Sequence, residues 1–387
     1  MKKKLLVFVS YVAVAALASA LTIGLLHFEY GLMPSKLDQV TALIEEKFIG
    51  EADRTALEDA AADAMVAATG DRWSYYISAE EYEAYQERME NAYVGVGITI
   101  QLTENKEGFS ILAVTAGGPA EEAGLAVGDL LVGVAGEDVR EMDTTQVRDL
   151  VKGPEGTFVD MTVLRQGERL TLSVERRKVE TPVAEYTMLE GNVGLVIIYN
   201  FDSRCADETI AAMEDLLESG AEKLIFDVRY NPGGYASELV EVLDYLLPEG
   251  DLFRTVRYDG YEHVDTSDAA CLDVPMVVLV NGSSYSAAEF FAAALKEYEA
   301  AVVIGEPTTG KGYFQQTYRL DDGSAVALSV GKYFTPKGVS LADAGGLIPD
   351  QVIELEKEQD DALYYGTLSP EEDPHIQAAL ELLKQCG

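Results

Sequence analysis

Histidine and cysteine, the side chains that most often build metal centres and nucleophilic triads, are scarce in this sequence. The 387 residues include three of each. Cys205, Cys271 and Cys386 lie far apart without any CxxC spacing, which argues against a structural zinc site and against a disulfide-dense scaffold. One disulfide is compatible with this count outside the cytosol, but unpaired thiols are the simpler expectation. We predict neither a metal centre nor an organic cofactor.

The three histidines are also poorly placed for catalysis. His27 lies at the edge of an apolar segment, His263 in an acidic loop and His375 in the tail. None of them follows a strand of the α/β part, and the motifs HExxH and GxSxG are absent. Zinc-dependent hydrolysis and a Ser-His-Asp triad are therefore poorly supported, and these histidines are expected to be solvated or structural.

Positively charged residues are also scarce. The chain has 29 lysines and arginines against 67 aspartates and glutamates, a formal net charge of −38. Such a surface repels phosphate backbones, so the folded body is not expected to bind nucleic acid. With 48% hydrophobic and 25% charged residues, the composition is typical of a globular chain with room for two or three domains.

Charged residues are absent from Leu5 to Leu26, directly after three lysines. A helix of this length reaches about 33 Å, enough to cross the hydrocarbon core of a bilayer. Basic residues stay on the cytoplasmic side, which predicts a single-pass membrane protein whose remaining chain faces outward. A cleaved signal peptide is the alternative, because Ala18-Ser19-Ala20 fits a cleavage site and cleavage would make the protein secreted.

Residues 1–26 form the anchor or signal segment. The remaining sequence divides into four parts with different residue patterns. Residues 27–90 show helical periodicity and are expected to serve as a spacer or in self-association as a homodimer. Residues 91–178 show short β-patterned runs between glycine turns, typical of a small, partly open barrel. Residues 179–355 alternate strands with helices, which predicts a mostly parallel sheet covered by helices. Residues 356–387 form an acidic tail ending in a short helix, the second segment expected at a homodimer contact.

A serine stands at a strand-to-helix turn of the α/β part. The apolar strand Val277–Val280 leads through Asn281–Ser286 into a helix that opens at Ala287. N–H groups at the start of a helix stabilise negative charge, so a nucleophile at Ser286 would gain from its position. Helix capping explains serines here as well and, from this feature alone, is the better interpretation.

Lys311 lies in a glycine-flanked turn, Gly305–Gly312. A lysine acts as a general base only if desolvation lowers its pKa towards neutrality. The glycines allow close backbone packing, and Tyr313 and Phe314 are expected to supply apolar walls. Gln315 returns to the same face of the following strand, where its amide oxygen can orient the amine.

The segment Asp227–Gly234 follows a buried strand and ends in Pro-Gly-Gly. Such a turn at the carboxyl end of a strand can expose backbone N–H groups towards a shared crevice. These donors are what the oxyanion of acyl transfer needs. A tight turn without any function is the alternative.

In combination, these motifs resemble the C-terminal processing peptidases, also called tail-specific proteases, over nearly the whole length after the apolar segment. The match is carried in order by Gly70–Tyr76, Asp227–Gly234, Ser286–Glu289, Gly305–Thr308, Gly310–Gln315, Lys332–Gly338 and Gly346–Asp350. The resemblance implies a multidomain α/β and α+β protein with a crotonase-like peptidase core. It further implies Ser286 as nucleophile, Lys311 as base and Gln315 as its orienting partner. The implied oxyanion hole consists of the N–H groups of Ala287 and of Gly233 or Gly234.

Residues 93–178 similarly resemble a PDZ domain, on the strength of Gly118–Leu125 and Gly128–Leu131. The implied carboxylate-binding loop is Tyr93–Ile98, with Gly95, Val96, Gly97 and Ile98 at its centre. A peptide would add as a strand from Val96 onward, against the helix that bears Val147, Leu150 and Val151. Partners with free apolar carboxyl ends are expected.

Two features depart from the pattern of the family. Lys152 stands where arginine is common, at a position predicted to take part in gating. The serine-alanine-serine run common before the serine of the family is here Ser283-Ser284-Tyr285. The sequence predicts an extracytoplasmic serine endopeptidase that cleaves proteins near their carboxyl ends. The alternative is a PDZ scaffold with an inactive peptidase core.

Overall fold

The computed structural model describes residues 34–103 and 105–385, together with positions 14, 17–19 and 22. Most of the apolar segment Leu5–Leu26, part of its cleavage-site motif, His27 and Cys386 lie outside the described residues. Within the described part of the chain, no helix combines the length and the apolar character needed to span a bilayer. Cys205 and Cys271 are free thiols, the first buried and the second exposed.

Three helices and a short strand form the N-terminal segment: α1 (Lys36–Lys47), α2 (Arg54–Ala67), β1 (Tyr75–Ile77) and α3 (Ala79–Met89). The sequence Ser78-Ala79-Glu80-Glu81 is a capping signal for α3, and the Ser78 hydroxyl accepts from the N–H of Glu81. Helix α1 has no buried residue and leaves Leu37, Val40 and Leu43 exposed.

A six-stranded sheet with its own apolar core follows. Its strands are β3 (Ile98–Leu102), β4 (Phe109–Val114), β5 (Leu130–Val134), β6 (Glu137–Asp138), β7 (Phe158–Arg165) and β8 (Glu168–Glu175), preceded in the chain by β2 (Ala92–Gly95). The order is β3-β4-β5-β7-β8, with β6 on β5, so β3 is an edge strand. Helices α4 (Pro119–Glu122) and α5 (Thr144–Val151) complete the unit.

The β-patterned run Val94–Ile100 does not form one continuous strand. Strand β2 ends at Gly95 and pairs with β9 (Arg177–Glu180) in a separate two-stranded ribbon, where the chain enters and leaves the six-stranded unit. Gly97 then takes a φ of +76°, in the left-handed region that favours glycine, and β3 starts at Ile98. The sequence pattern could not reveal the break because both pieces carry the same alternation of residues.

The second large unit is built on a mostly parallel sheet. Its strands are β10 (Ala184–Leu189), β11 (Val193–Ile198), β12 (Lys223–Asp227), β15 (Met276–Val280), β16 (Ala301–Gly305) and β19 (Gln351–Val352), in that order. All neighbouring pairs are parallel except β10 with β11. The strands Val193–Ile198 and Met276–Val280 coincide with apolar runs of the sequence, as is typical of buried parallel strands.

Helices cover both faces of this sheet. One core cluster joins it to α6 (Cys205–Glu218), α7 (Ala236–Leu246) and α8 (Ala287–Glu297). The other face packs against α11 (Pro374–Lys384), the last helix of the tail, through Ile376, Ala379 and Leu383. The short helices α9 (Leu341–Ala344) and α10 (Lys357–Tyr364) lie between α8 and α11 in the chain.

A further sheet brings the N-terminal segment to the second large unit. It has the order β1-β18-β13-β14, with β17 also paired to β18; its other strands are β13 (Gly250–Arg257), β14 (Glu262–Ser267), β17 (Tyr313–Arg319) and β18 (Ala325–Phe334). Because β1 and β17 both pair with β18, the segment before β1 lies beside the turn before β17. That turn contains Lys311.

Candidate active site

Ser286 lies at the end of the loop that joins β15 to α8. The Ser284 hydroxyl donates to the carbonyl of Val228 at 2.7 Å, and the Tyr285 N–H donates to the carbonyl of Asn231 at 3.1 Å, which ties the loop to the turn after β12. Ser286 is largely buried, with φ at +58° and ψ at −127°. This backbone conformation costs a non-glycine residue about 1–3 kcal/mol and is found mainly at functional sites.

The fully buried Glu289 connects this serine to the lysine turn. Its Oε2 accepts from the backbone N–H of Ser286 at 3.0 Å and from that of Lys311 at 2.8 Å. Its Oε1 accepts from the N–H of Gly310 at 2.7 Å and from the hydroxyl of Thr308. The sequence places an acidic residue at the third position of the helix, a capping signal, but not its burial against a second loop.

The turn around Lys311 depends on its glycines, as the sequence indicated. A Cβ at Gly310 would lie 2.9 Å from the backbone nitrogen of Gly346, and one at Gly312 would lie 2.8 Å from that of Ala342. Side chains at these positions would therefore push the turn away from the α9 segment. The backbone around Lys311 is packed as closely as a desolvated amine requires.

The aromatic walls around the Lys311 amine differ from those expected. Its Nζ lies 4.8 Å from the ring centroid of Trp73 and 5.6 Å from that of Tyr285, and the two rings stack at 5.9 Å. Tyr313 instead faces Lys332, and Phe314 stacks on Tyr333. Sequence reasoning missed Trp73, which only the pairing of β1 with β18 brings here.

Burial lowers the pKa of Lys311 to about 8, although the charges of Glu289 and Asp71 act in the opposite direction. The ammonium makes no hydrogen bond with the Ser286 hydroxyl, although both side chains line one cavity of about 990 Å³. A direct proton transfer between these two groups would first require this hydrogen bond to form.

Gln315 lines the same cavity but does not contact the amine. Its Nε2 donates to the hydroxyl of Ser329 at 3.0 Å and to the carbonyl of Tyr313 at 3.3 Å. The N–H of Ser329 in turn donates to the hydroxyl of Ser74, which donates to the carboxylate of Asp71 at 2.6 Å. The expected bond from Gln315 to Lys311 is absent between these described residues.

The Pro-Gly-Gly turn packs directly against the serine. A Cβ at Gly233 would lie 2.7 Å from the Cβ of Ser286, so only glycine fits there. The N–H of Gly233 donates to the side chain of Asn231 at 2.8 Å and is therefore occupied. Those of Gly234 and Ala287 donate to no described protein acceptor. These two groups are the pair available for an oxyanion.

Buried charges anchor this turn from behind. The Arg229 guanidinium binds Asp227 at 2.9 Å, Asp373 of α11 at 2.7 Å and the Nδ1 of His375 at 3.2 Å. Burial, together with the charge of Arg229, lowers the pKa of His375. His375 is thus structural, and His263 is exposed beside Asp265, so neither faces the Ser286 cavity.

The residues expected to bind a carboxyl end are split between two places. Gly95 belongs to the β2–β9 ribbon, whereas Val96, Gly97 and Ile98 form the loop into the edge strand β3. On α5, Val147 is fully buried in the core, and the partly buried Leu150 and Val151 lie at its edge. Lys152, at the end of α5, is exposed without an ion pair or side-chain hydrogen bond to any described residue.

The chain is similar in sequence to known proteins. Residues 192–353 match peptidase family S41, and residues 110–165 match the PDZ domain. A carboxyl-terminal-processing protease from Synechocystis sp. is 30% identical over 349 residues, covering 88% of this chain and 80% of that protein. A protein named "Probable CtpA-like serine protease" from Staphylococcus saprophyticus is 28% identical, covering 90% of this chain and 72% of its own.

A solved structure assigned to the S41 proteases, from Bacteroides fragilis, superposes with a TM-score of 0.54 over 90% of this chain and 97% of that one. Its sequence identity of 19% supports the likeness of fold alone.

Proposed function

Since the chain belongs to the carboxyl-terminal-processing proteases of peptidase family S41, which are serine endopeptidases, we propose that Ser286 is its nucleophile and Lys311 its general base. The observation that carries this proposal is the buried Glu289 carboxylate, which binds the backbone of both residues at one cavity. A scaffold with an inactive core would have no need to keep these two residues in a common frame.

The chemistry follows from the groups that line the cavity. Neutral Lys311 takes the proton of the Ser286 hydroxyl, and the oxygen attacks the substrate carbonyl. The N–H groups of Gly234 and Ala287 stabilise the resulting oxyanion. The Lys311 ammonium then returns its proton to the leaving amine. The same lysine next deprotonates the water that attacks the acyl-enzyme and returns that proton to the departing Ser286 oxygen, which restores both groups. Gln315 shapes the wall beside the lysine.

The proposal predicts that the purified chain hydrolyses an unfolded protein or a peptide of at least ten residues, whereas Ser286→Ala does not. Ser283→Ala is the matched control, because it removes a neighbouring hydroxyl of the same loop and should retain turnover. Mass spectrometry of the products would locate the cut. Equal product formation by the wild type and Ser286→Ala would contradict the assignment of the nucleophile.

We further propose that the six-stranded unit captures the carboxyl end of the substrate at the loop before β3. The carbonyls of Val96 and Gly97 accept from Ala120 and Thr115, each at 2.9 Å, whereas their own N–H groups donate to no described protein acceptor. Free N–H groups beside an unpaired strand edge suit a terminal carboxylate followed by an added strand. Leu150 and Val151 supply an apolar wall for the last side chains.

Binding to the inactive Ser286→Ala chain tests this module. A peptide that ends in Ala-Ala should bind at least about tenfold more tightly than its C-terminal amide or a version that ends in Asp, since each loses a charge-assisted or apolar contact. Gly97→Ala should weaken the acid peptide, because its φ of +76° disfavours a side chain and a Cβ would lie 3.1 Å from Thr115. Gly167→Ala, with a φ of +86° in open space, is the control. Equal affinity for all three peptides would rule out reading of the carboxyl end.

Location and assembly are also proposals. The lysines before Leu5–Leu26 support a single-pass anchor with the peptidase outside, and the N-terminal residue of the mature protein tests it: a start at Leu21 would mean a secreted enzyme.

The uncovered apolar face of α1 supports a homodimer, which sedimentation would detect. The expectation that Lys152 takes part in gating remains a prediction.

A further inference from the structure

One wall of the Ser286 cavity is built from arginines that lie on aromatic rings. Helix α3 presents Tyr82, Tyr85 and Arg88 three residues apart, hence on one face. The rings of Tyr82 and Tyr85 stack at 6.0 Å, the Arg319 guanidinium lies 5.1 Å from the centroid of Tyr82, and that of Arg88 lies 5.6 Å from the centroid of Tyr85. Each tyrosine ring therefore lies within cation–π distance of one guanidinium.

These guanidiniums have no acidic partner. Neither Arg88 nor Arg319 forms an ion pair with a carboxylate in the described part of the chain, although aspartate and glutamate outnumber lysine and arginine by more than two to one. The arginines that do pair, such as Arg165 with Asp129, lie away from this cavity. A planar guanidinium without a partner offers the two parallel donors that bind a carboxylate.

The one buried acid of the cavity responds to the same charge. Asp202 is 7% exposed, and its Oδ1 has no hydrogen-bond partner among the described residues. Burial raises the pKa of Asp202 to about 7, and the charge of Arg88 opposes that rise. Arg88 similarly opposes the rise that burial causes in the pKa of Tyr285, the neighbour of the nucleophile. The field of Arg88 therefore reaches both Asp202 and the residue beside Ser286.

Asp202 also connects Arg88 to the turn that packs against Ser286. A Cβ at Gly234 would lie 2.6 Å from the backbone nitrogen of Asp202, so the oxyanion turn packs directly on the segment that carries this carboxylate. Arg88, whose charge acts on Asp202, therefore lies on the same side of the cavity as the Gly234 turn.

We propose that Arg88 and Arg319 together bind a carboxylate of the substrate, so that the enzyme prefers chains that are acidic next to the cleaved bond. This inference rests on the proposed function, because it assumes that Ser286 cuts a chain lying in this cavity. The carboxylate is either a glutamate or aspartate side chain or the free carboxyl end of the segment. In both cases it replaces water around two pre-stacked cations.

Kinetics on paired peptides tests this preference. One pair of peptides, with amidated ends, differs only by Glu or Gln near the cut and isolates the side chain. A second pair, free acid against amide, isolates the carboxyl end. At low salt the acidic member of at least one pair should show a kcat/KM about tenfold higher, and the ratio should shrink as salt rises. In Arg88→Gln/Arg319→Gln that ratio should fall to about one.

The matched control removes two positive charges elsewhere. Arg140→Gln/Arg169→Gln changes exposed residues of the six-stranded unit and should keep the wild-type ratio. Asp202→Asn breaks no hydrogen bond and removes the carboxylate that opposes the ligand, so the ratio should rise about threefold or more. A rise in this variant is an effect that mere damage to the cavity would not produce.

Anisotropy of labelled peptides on Ser286→Ala separates the two proposals, because it needs no turnover. A wild type that cleaves nothing would overturn the proposed function, while preferential binding of an acidic peptide that depends on Arg88 and Arg319 would still support this inference. Ratios near one for every pair in the wild type, or a preference that survives in Arg88→Gln/Arg319→Gln, would overturn it.

Discussion

Lys311→Arg should abolish peptide hydrolysis, with a loss of at least about a thousandfold in kcat, while the protein stays folded. Arginine keeps a positive charge over the Trp73 and Tyr285 rings, so the contacts that hold the turn in place should be largely preserved. Its guanidinium cannot lose a proton at any pH compatible with folding, so Ser286 has no base.

The pH dependence of the wild type follows from the same residue. Burial lowers the pKa of Lys311 to about 8, so the active neutral form is the minor one at pH 7 and the major one above pH 8. The value of kcat/KM should therefore rise with pH through about 8 and then level off. The rise has this direction because the deprotonated form of the base is the reactive one.

Initial rates of peptide hydrolysis at several pH values test both the loss of activity in Lys311→Arg and the pH dependence of the wild type. Lys296→Arg is a suitable control, since Lys296 pairs with Asp350 outside the cavity and needs only its charge. If Lys311→Arg still turned over substrate, another base would have to be sought. A flat profile between pH 6.5 and 9.5 would lead to the same conclusion.

Glu289→Gln should lower kcat at least about a hundredfold and reduce the free energy of unfolding by about 3 kcal/mol. Four donors converge on the fully buried carboxylate, and an amide offers an acceptor on one side only. Its NH₂ group would face two N–H or O–H donors. The serine loop and the lysine turn should then separate by enough to misalign proton transfer.

Denaturant unfolding and steady-state kinetics measure the two effects separately. Glu168→Gln, an exposed carboxylate in the β7–β8 hairpin, is the control for loss of one charge. Wild-type kcat in a destabilised Glu289→Gln protein would show that this carboxylate serves stability alone. A normal KM with a low kcat is the expected signature of displaced groups that do not bind substrate.

The local elements of the chain could be predicted from its sequence because their causes are local. The strand Met276–Val280 reads as five buried apolar residues, the helix from Ala79 begins at a capping box, and the turn at Lys311 is marked by two glycines. Each pattern depends on neighbours within a few positions. The position of Ser286 at a strand-to-helix turn and that of Lys311 between glycines are visible from the same kind of information.

The surroundings of these groups depend on contacts between distant segments, which no local pattern contains. Trp73 reaches Lys311 because β1 and β17 pair with the same strand, β18. Gln315 binds the hydroxyl of Ser329 instead of the amine because the two residues are directly opposite in the pairing of β17 with β18. The sequence by itself determined which residues are able to react. The tertiary structure decided which of them meet, since burial, register and the placement of charges such as Glu289 are properties of the packed chain.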